Sequence, residues 1–227
     1  MWRMWLTGVV MLAAGACGRS GFGAVIDAQS TAADGRVSTS DADQIAIDAA
    51  AGTVIRYSIA DTTIRMSGGV PSGNDNVVIC GQYSSNLDDT RPLLLLDLSG
   101  VTGPVTNATL RMYMTLSGGS SPIDIGIYRV TVAWTEAGAS WTRPAPSQTW
   151  TTAGGDTAPL LYAHTTITPA MFAFYDWNIT SLVNEWLTGT PNFGLQMRYV
   201  TVPATPSNVG LRSREYPASQ PELLITP

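Results

Sequence analysis

The chain has 227 residues, a net charge of -5, 44% hydrophobic and only 13% charged residues, and its basic residues are arginines scattered one at a time. Nucleic-acid binding needs a clustered basic footprint, which this distribution excludes. Two cysteines in a chain of this length exclude a disulfide-stapled scaffold, so the fold must stand on its own apolar core.

Residues 1–16 place one basic residue, Arg3, before an uncharged apolar run that begins at Met4 and ends in small residues. That pattern predicts a secretory signal peptide and an exported chain, at a bacterial cell envelope or outside the cell. The run is shorter than the roughly 20 residues a membrane span needs, so contact with a membrane is expected only through the signal or a lipid. Ala14-Gly15-Ala16 fits a cleavage site and leaves Cys17 directly after it, where a lipid could be attached. Lipoprotein signals usually carry Leu three residues before the cysteine, and Ala14 stands there instead, so lipidation and plain secretion both stay open. Residues 17–43, rich in Ser, Thr, Ala, Gly and Asp, bury too little apolar area to order themselves and read as a flexible tether. With Cys17 lipidated or removed, Cys80 in Val77-Val78-Ile79-Cys80 has no partner and reads as a small buried hydrophobe.

Residues 44–227 are expected to form one domain, its core module starting at about Asp61. Ile55, Tyr57 and Ile59 permit a peripheral strand. Leu93 to Leu96 is a continuous apolar run suited to a central strand. Ala108, Leu110, Met112 and Met114 alternate with Thr109, Arg111, Tyr113 and Thr115, the period of two that gives one dry face. Ile123, Ile125 and Ile127 repeat it, as do the pairs Phe172/Phe174, Leu195/Met197, Val209/Leu211 and Leu223/Ile225. Glycine and proline turns separate these runs. Leu182, Val183, Trp186 and Leu187 form one helical stripe, with Thr180 or Ser181 as its cap and Gly189 as its stop. The prediction is an all-β fold, an antiparallel β-sandwich of jelly-roll type with one short helix.

An ordered series of segments resembles a known family. Asp61-Thr62-Thr63-Ile64, Arg91 to Ser99, Ala108 to Tyr113, Tyr128-Arg129-Val130 with Trp134-Thr135-Glu136, Ser140-Trp141, Asn178 to Trp186, Asn192-Phe193-Gly194 and Ser213-Arg214-Glu215-Tyr216 follow the order of the DNRLRE-type domain. That domain is a carbohydrate-binding module of the alginate-binding kind, related to disaggregatase repeats. The resemblance implies a β-sandwich that binds polysaccharide or adheres to surfaces. Asn178 departs from it, because the family commonly has Asp there.

Candidate site residues come from the aromatic inventory. Trp141 and Trp150 flank a proline-rich loop, and loops carry binding residues disproportionately. Trp150, Arg143, Gln148 and Trp141 form a candidate contact group for sugar rings and hydroxyls, and Arg214 with Tyr216 a second. The competing reading has both indoles pinning the loop and Arg214 serving the fold beside Glu215. Ca²⁺ is a candidate cofactor because Asp61, Asp75, Asp88, Asp89 and Asp156 offer oxygens, although no ligand set is defined. The single histidine, His164, lacks the partners for a metal cluster or an acyl-transfer triad.

The function expected is a non-catalytic polysaccharide-binding or adhesive domain at the cell surface or outside the cell. A second reading is a structural subunit of a surface layer, filament or homo-oligomeric complex, assembled through sheet edges and pairing residues 45–59 in trans. A third is a glycan-active enzyme using paired carboxylates such as Glu136 and Glu215.

Overall fold

The computed structural model describes residues 52–69, 72–83, 88–119, 121–168 and 172–227. The expected signal peptide, Cys17 and the tether lie outside these residues. Ten strands pair antiparallel: β1 (Val54–Arg65), β2 (Val77–Tyr83), β3 (Asp88–Leu96), β4 (Asn107–Ser117), β5 (Ile123–Arg129), β6 (Ala163–Ile167), β7 (Ala173–Asn178), β8 (Leu195–Tyr199), β9 (Asn208–Arg212) and β10 (Glu222–Thr226). One α-helix, α1 (Thr180–Leu187), follows β7. This is the antiparallel β-sandwich of jelly-roll type with a short helix that the alternation predicts.

Two strands change partners along their length and so join the layers. The first third of β1, Val54 to Tyr57, pairs with β10, and from Ser58 onward the strand pairs with β3. A bulge at Ile59 makes the switch and leaves that side chain 54% exposed. Ile55 and Tyr57 are therefore paired within the chain, ahead of Asp61. In the same way β4 pairs with β10 from Asn107 to Arg111, with β7 from Thr109 to Met114 and with β9 from Met114 onward, with a second irregularity between Met114 and Leu116. Bulges at such corners let one strand serve two sheets.

The main core lies between the layers. Ala108, Leu110, Met112 and Met114 of β4 face Ile123, Ile125 and Ile127 of β5, Leu195 and Met197 of β8, and Leu94 and Leu96 of β3. Trp177 is wholly buried there and its indole N–H donates to the Ile125 carbonyl at 2.9 Å, so the one polar atom of the ring is satisfied. Cys80 is a free thiol inside the same cluster, and burial pushes its ionisation far above the usual thiol range. It packs as a hydrophobe.

Two local expectations are corrected. In β7 it is Ala173, Tyr175 and Trp177 that point inward, while Phe174 is 51% exposed and Phe172, outside the strand at a φ of 61°, is 65% exposed. Trp177 sets that parity, since a strand can bury only one of its two faces here. The helix start also differs: its N-cap is Ile179, with no side-chain cap hydrogen bond. Asn178 Oδ1 accepts from the Thr180 backbone N–H at 3.1 Å and from its hydroxyl at 2.7 Å, while the Thr180 hydroxyl oxygen accepts from the Ala108 N–H at 2.9 Å. Leu182, Val183 and Trp186 are buried, as the stripe requires, and Gly189 closes the helix at a φ of 112°.

Candidate carbohydrate-binding groove

After β5 the chain leaves the sandwich and returns only at β6. The segment between is rich in Thr, Gly and Pro, so it forms turns instead of a strand. It lies over the outer face of β1 and β3, where Ile64 and Leu93 project away from the main core. Together with Val130, Ala139 and Trp150 these residues make a second apolar cluster, edged by Val132, Trp134, Trp141 and Phe193. Trp150 is 6% exposed and its indole N–H donates to the Ser140 carbonyl at 2.8 Å. Trp134 donates likewise to the Phe193 carbonyl at 2.8 Å. The Trp150 bond closes the segment on itself, while the Trp134 bond ties it to the turn ahead of β8.

Where this segment turns back, it walls a groove of about 380 Å³. Thr131, Thr151, Thr152 and Asp156 line one part of it and Arg91 and Arg198 another. Asp156 shapes the wall by accepting the backbone N–H groups of Thr151 and Thr152, each at 2.8 Å, which leaves both threonine side chains exposed. Gly154, at a φ of 92°, carries the chain close to β3; a Cβ there would run into Arg91 Nη1 and the Trp141 ring. Its carbonyl accepts from Arg91 Nη1 at 3.1 Å and from Gln196 Nε2 at 2.7 Å.

The two arginines differ in what neutralises them. Arg91 donates from Nε and Nη2 to one oxygen of Asp89, at 2.9 and 2.6 Å, and its guanidinium lies 4.6 Å from the Trp141 ring centre. Burial pushes the Asp89 carboxyl above the usual range, and Arg91 pulls it back. Arg198 lies over the Tyr128 ring, 3.8 Å from its centre, and makes no ion pair with a described residue, although Asp89 feels its charge. A stacked guanidinium keeps its N–H fork directed outward around its rim.

The residues expected from sequence fall into three places, none of them lining the groove. Trp150 is buried beneath the segment, while Trp141 sits under Arg91 at the groove's border. Arg143 and Gln148 are exposed on the proline-rich turn. Arg214 is held by Glu136, and Tyr216 lies under Arg212, 3.7 Å from ring centre to guanidinium. Arg198, Thr151 and Thr152 were not singled out from sequence. The signal for Arg198 is its place one step beyond buried Met197, which turns it to the outer face of β8.

Of the carboxylates named for catalysis, Glu215 pairs with Arg214 at 3.0 Å, and its oxygens are otherwise buried without a hydrogen-bond partner. Glu136 holds Arg214, and Glu185 accepts from Tyr162 and pairs with Arg129 at 3.1 Å. Asp61 is pushed up to about 6 by burial, but it is wholly buried, and a general acid must touch substrate. His164 is exposed and pairs with Asp124 at 3.0 Å. Among the described residues no three His, Cys, Asp or Glu side chains gather as a metal-holding group.

Comparison with curated proteins gave no match. The model of carbohydrate-binding module family 96 matches residues 53–227, which takes in every strand from β1 to β10. The sandwich, its second core and its walled groove thus belong to a non-catalytic carbohydrate-binding module, and the chain is a member of carbohydrate-binding module family 96.

Proposed function

We propose that the groove between Arg198 and the Thr151-Thr152 turn is where the module holds a polysaccharide, and that the chain serves adhesion as an exported or cell-surface protein. The observation that carries the site is the Arg198 guanidinium, laid on Tyr128 and left without an ion-pair partner among the described residues. Arg198 lines the groove together with the exposed Thr151 and Thr152, whose hydroxyls rotate to give or accept hydrogen bonds as a sugar demands. Tyr128 holds the guanidinium before the ligand arrives, so less side-chain entropy is lost on binding. The export reading rests on residues 1–17, outside the described residues.

Affinity electrophoresis through gels containing soluble polysaccharides tests the site. The wild-type protein is expected to be retarded, Arg198→Ala to lose about tenfold in affinity, as the loss of a charged hydrogen-bond donor implies, and Phe174→Ala to bind as the wild type. A second reading places the ligand on the exposed ring of Phe174, which packs edge-on against Tyr113 with centroids 4.8 Å apart. Loss of retardation in Phe174→Ala with retention in Arg198→Ala would establish that reading and overturn the groove.

A further inference from the structure

Register carries the outer face of β8 across β5 to β6: Arg198 stands opposite Gly126, and Gly126 opposite His164. Directly opposed residues share a face, so Arg198 and His164 flank one glycine, two strand spacings or about 10 Å apart. Ile125 and Ile127 turn into the main core, which puts this row on the outside. We infer that a polysaccharide held at Arg198 continues along the row to His164, so that the module grips an internal stretch of chain across three strands; the inference rests on the groove being the binding site.

Gly126 shapes the surface between the two ends. A Cβ there would meet Leu161 Cδ1 at 2.6 Å, Val200 Cγ2 at 3.0 Å and Tyr128 Cε2 at 3.1 Å, so these three side chains converge over the glycine. Val200 is 37% exposed and Leu161 is partly buried. They make a low apolar saddle that continues the groove, because Tyr128 is also the ring that carries Arg198. A pyranose ring shows C–H groups on its faces and hydroxyls around its rim. The saddle suits the faces, since covering Val200 and Leu161 removes apolar surface from water.

His164 supplies the polar contact at the far end. Its Nδ1 lies 3.0 Å from Asp124 Oδ1, its side chain is 58% exposed, and its Nε2 has no hydrogen-bond partner among the described residues. A proton on Nδ1, which the carboxylate favours, leaves Nε2 an acceptor in the neutral imidazole and a donor in the charged one. Either form takes a sugar hydroxyl. Arg198 and His164 thus bracket an apolar saddle with a hydrogen-bonding group at each end, which is what a chain lying across the strands requires.

Calorimetric titration with a length series tests the extension. Alginate, xylan and mannan are first screened by affinity electrophoresis, and the polymer that retards the wild type is cut into oligosaccharides whose ends are reduced with borohydride. Wild-type affinity is expected to rise with length and to be unchanged by end reduction. His164→Ala and Val200→Ala should bind the shortest oligosaccharides as the wild type does and the long ones about twofold to tenfold more weakly, as the loss of one hydrogen bond or a small apolar contact implies. Arg198→Ala should weaken every length. His164→Ala and Val200→Ala proteins that match the wild type at every length, or fall by one factor at every length, would overturn the extension, as would affinity lost on end reduction; the groove would stand while Arg198→Ala still weakens binding. No retarding polymer, or binding unchanged in Arg198→Ala, would overturn the groove and the extension with it.

Discussion

Arg214 closes on Glu136 through two hydrogen bonds, Nε to Oε1 at 2.8 Å and Nη2 to Oε2 at 2.7 Å, although the two residues lie 78 positions apart. Its sequence neighbour Glu215 is only a second partner, at 3.0 Å. Glu136 Oε1 also accepts the Asp61 backbone N–H at 2.8 Å, and the Arg214 backbone N–H donates to Asp61 Oδ2 at 2.8 Å. Arg214, through its guanidinium and its backbone N–H, and Glu136 together tie β1, the segment after β5 and the link between β9 and β10.

Arg214→Ala is accordingly expected to destabilise the fold by about 1–3 kcal/mol, less than a fully buried pair because the arginine keeps some contact with water. Three carboxylates would be left near one another without their cation. Arg214→Lys should recover under half of the loss, since an ammonium cannot reproduce the fork. Urea unfolding measures both; an Arg214→Ala protein as stable as the parent would show the clasp to be energetically idle.

Asp61 gives the fold a dependence on pH. Burial drives its carboxyl up to about 6, against the pull of the Arg214 N–H and the Ser58 hydroxyl, and Glu215 and Glu136 push it further. The folded protein thus holds a proton that the unfolded chain releases at lower pH, so this stability is complete below the ordinary aspartate range and is lost as pH rises through about 6. Burial raises Asp89 and Glu222 in the same direction. Asp88 opposes them: burial acts to raise it, but the Ser67 backbone N–H, Arg65 and the Ser67 hydroxyl together bring it below its usual value. The expected outcome is a melting temperature higher near pH 5 than near pH 7.5, with Asp61 supplying about 1–1.5 kcal/mol of the change between those two values. Asp61→Asn should flatten the slope; an unchanged slope would assign it elsewhere.

The sandwich was legible because one layer's face is dry and the other side is wet. In β4 the alternation from Ala108 to Met114 names the buried residues correctly, and no long-range knowledge is needed for that. For β7 it is not enough. Phe174 and Trp177 are both aromatic, and only the registry of Trp177 opposite Leu110, with Phe174 opposite Tyr113, decides which turns inward. The groove was harder still. Arg198 meets Tyr128 because Arg198 stands across from Gly126 on β5, a pairing of distant segments that leaves no local trace. Trp150 is a candidate sugar-stacking residue from sequence, yet it is buried in the second apolar cluster, whereas Trp177 and Trp186 fill the main core as the strand and helix patterns suggest.

Trp150→Ala tests the second cluster as the support of the groove wall. Removing a buried indole of this kind costs about 3–5 kcal/mol, and it also frees the Ser140 carbonyl. Polysaccharide affinity is expected to fall as the Thr151-Thr152 turn loosens, although Trp150 lines no part of the groove. Proteolysis of the native state should then cut within residues 140–157 before it cuts elsewhere. Weakened binding with unchanged protease resistance would instead make Trp150 a direct contact.

Tyr128 offers the sharpest separation of positioning from packing. Its ring is 8% exposed, and the guanidinium of Arg198 covers it at 3.8 Å. Tyr128→Phe keeps the π face and is expected to bind polysaccharide within about twofold of the parent, since a stacked cation needs the ring and not the hydroxyl. Tyr128→Leu keeps apolar volume but removes the face, a loss of about 0.5–2 kcal/mol in holding the guanidinium, and affinity should fall by a corresponding factor of about 2–30. If Tyr128→Leu binds as tightly as Tyr128→Phe when both are equally stable in urea, the arginine needs no platform. Arg198→Lys completes the comparison: an ammonium over the same ring keeps the charge and loses the planar fork, so affinity near that of Arg198→Ala would show that the ligand is read by paired N–H donors and not by charge.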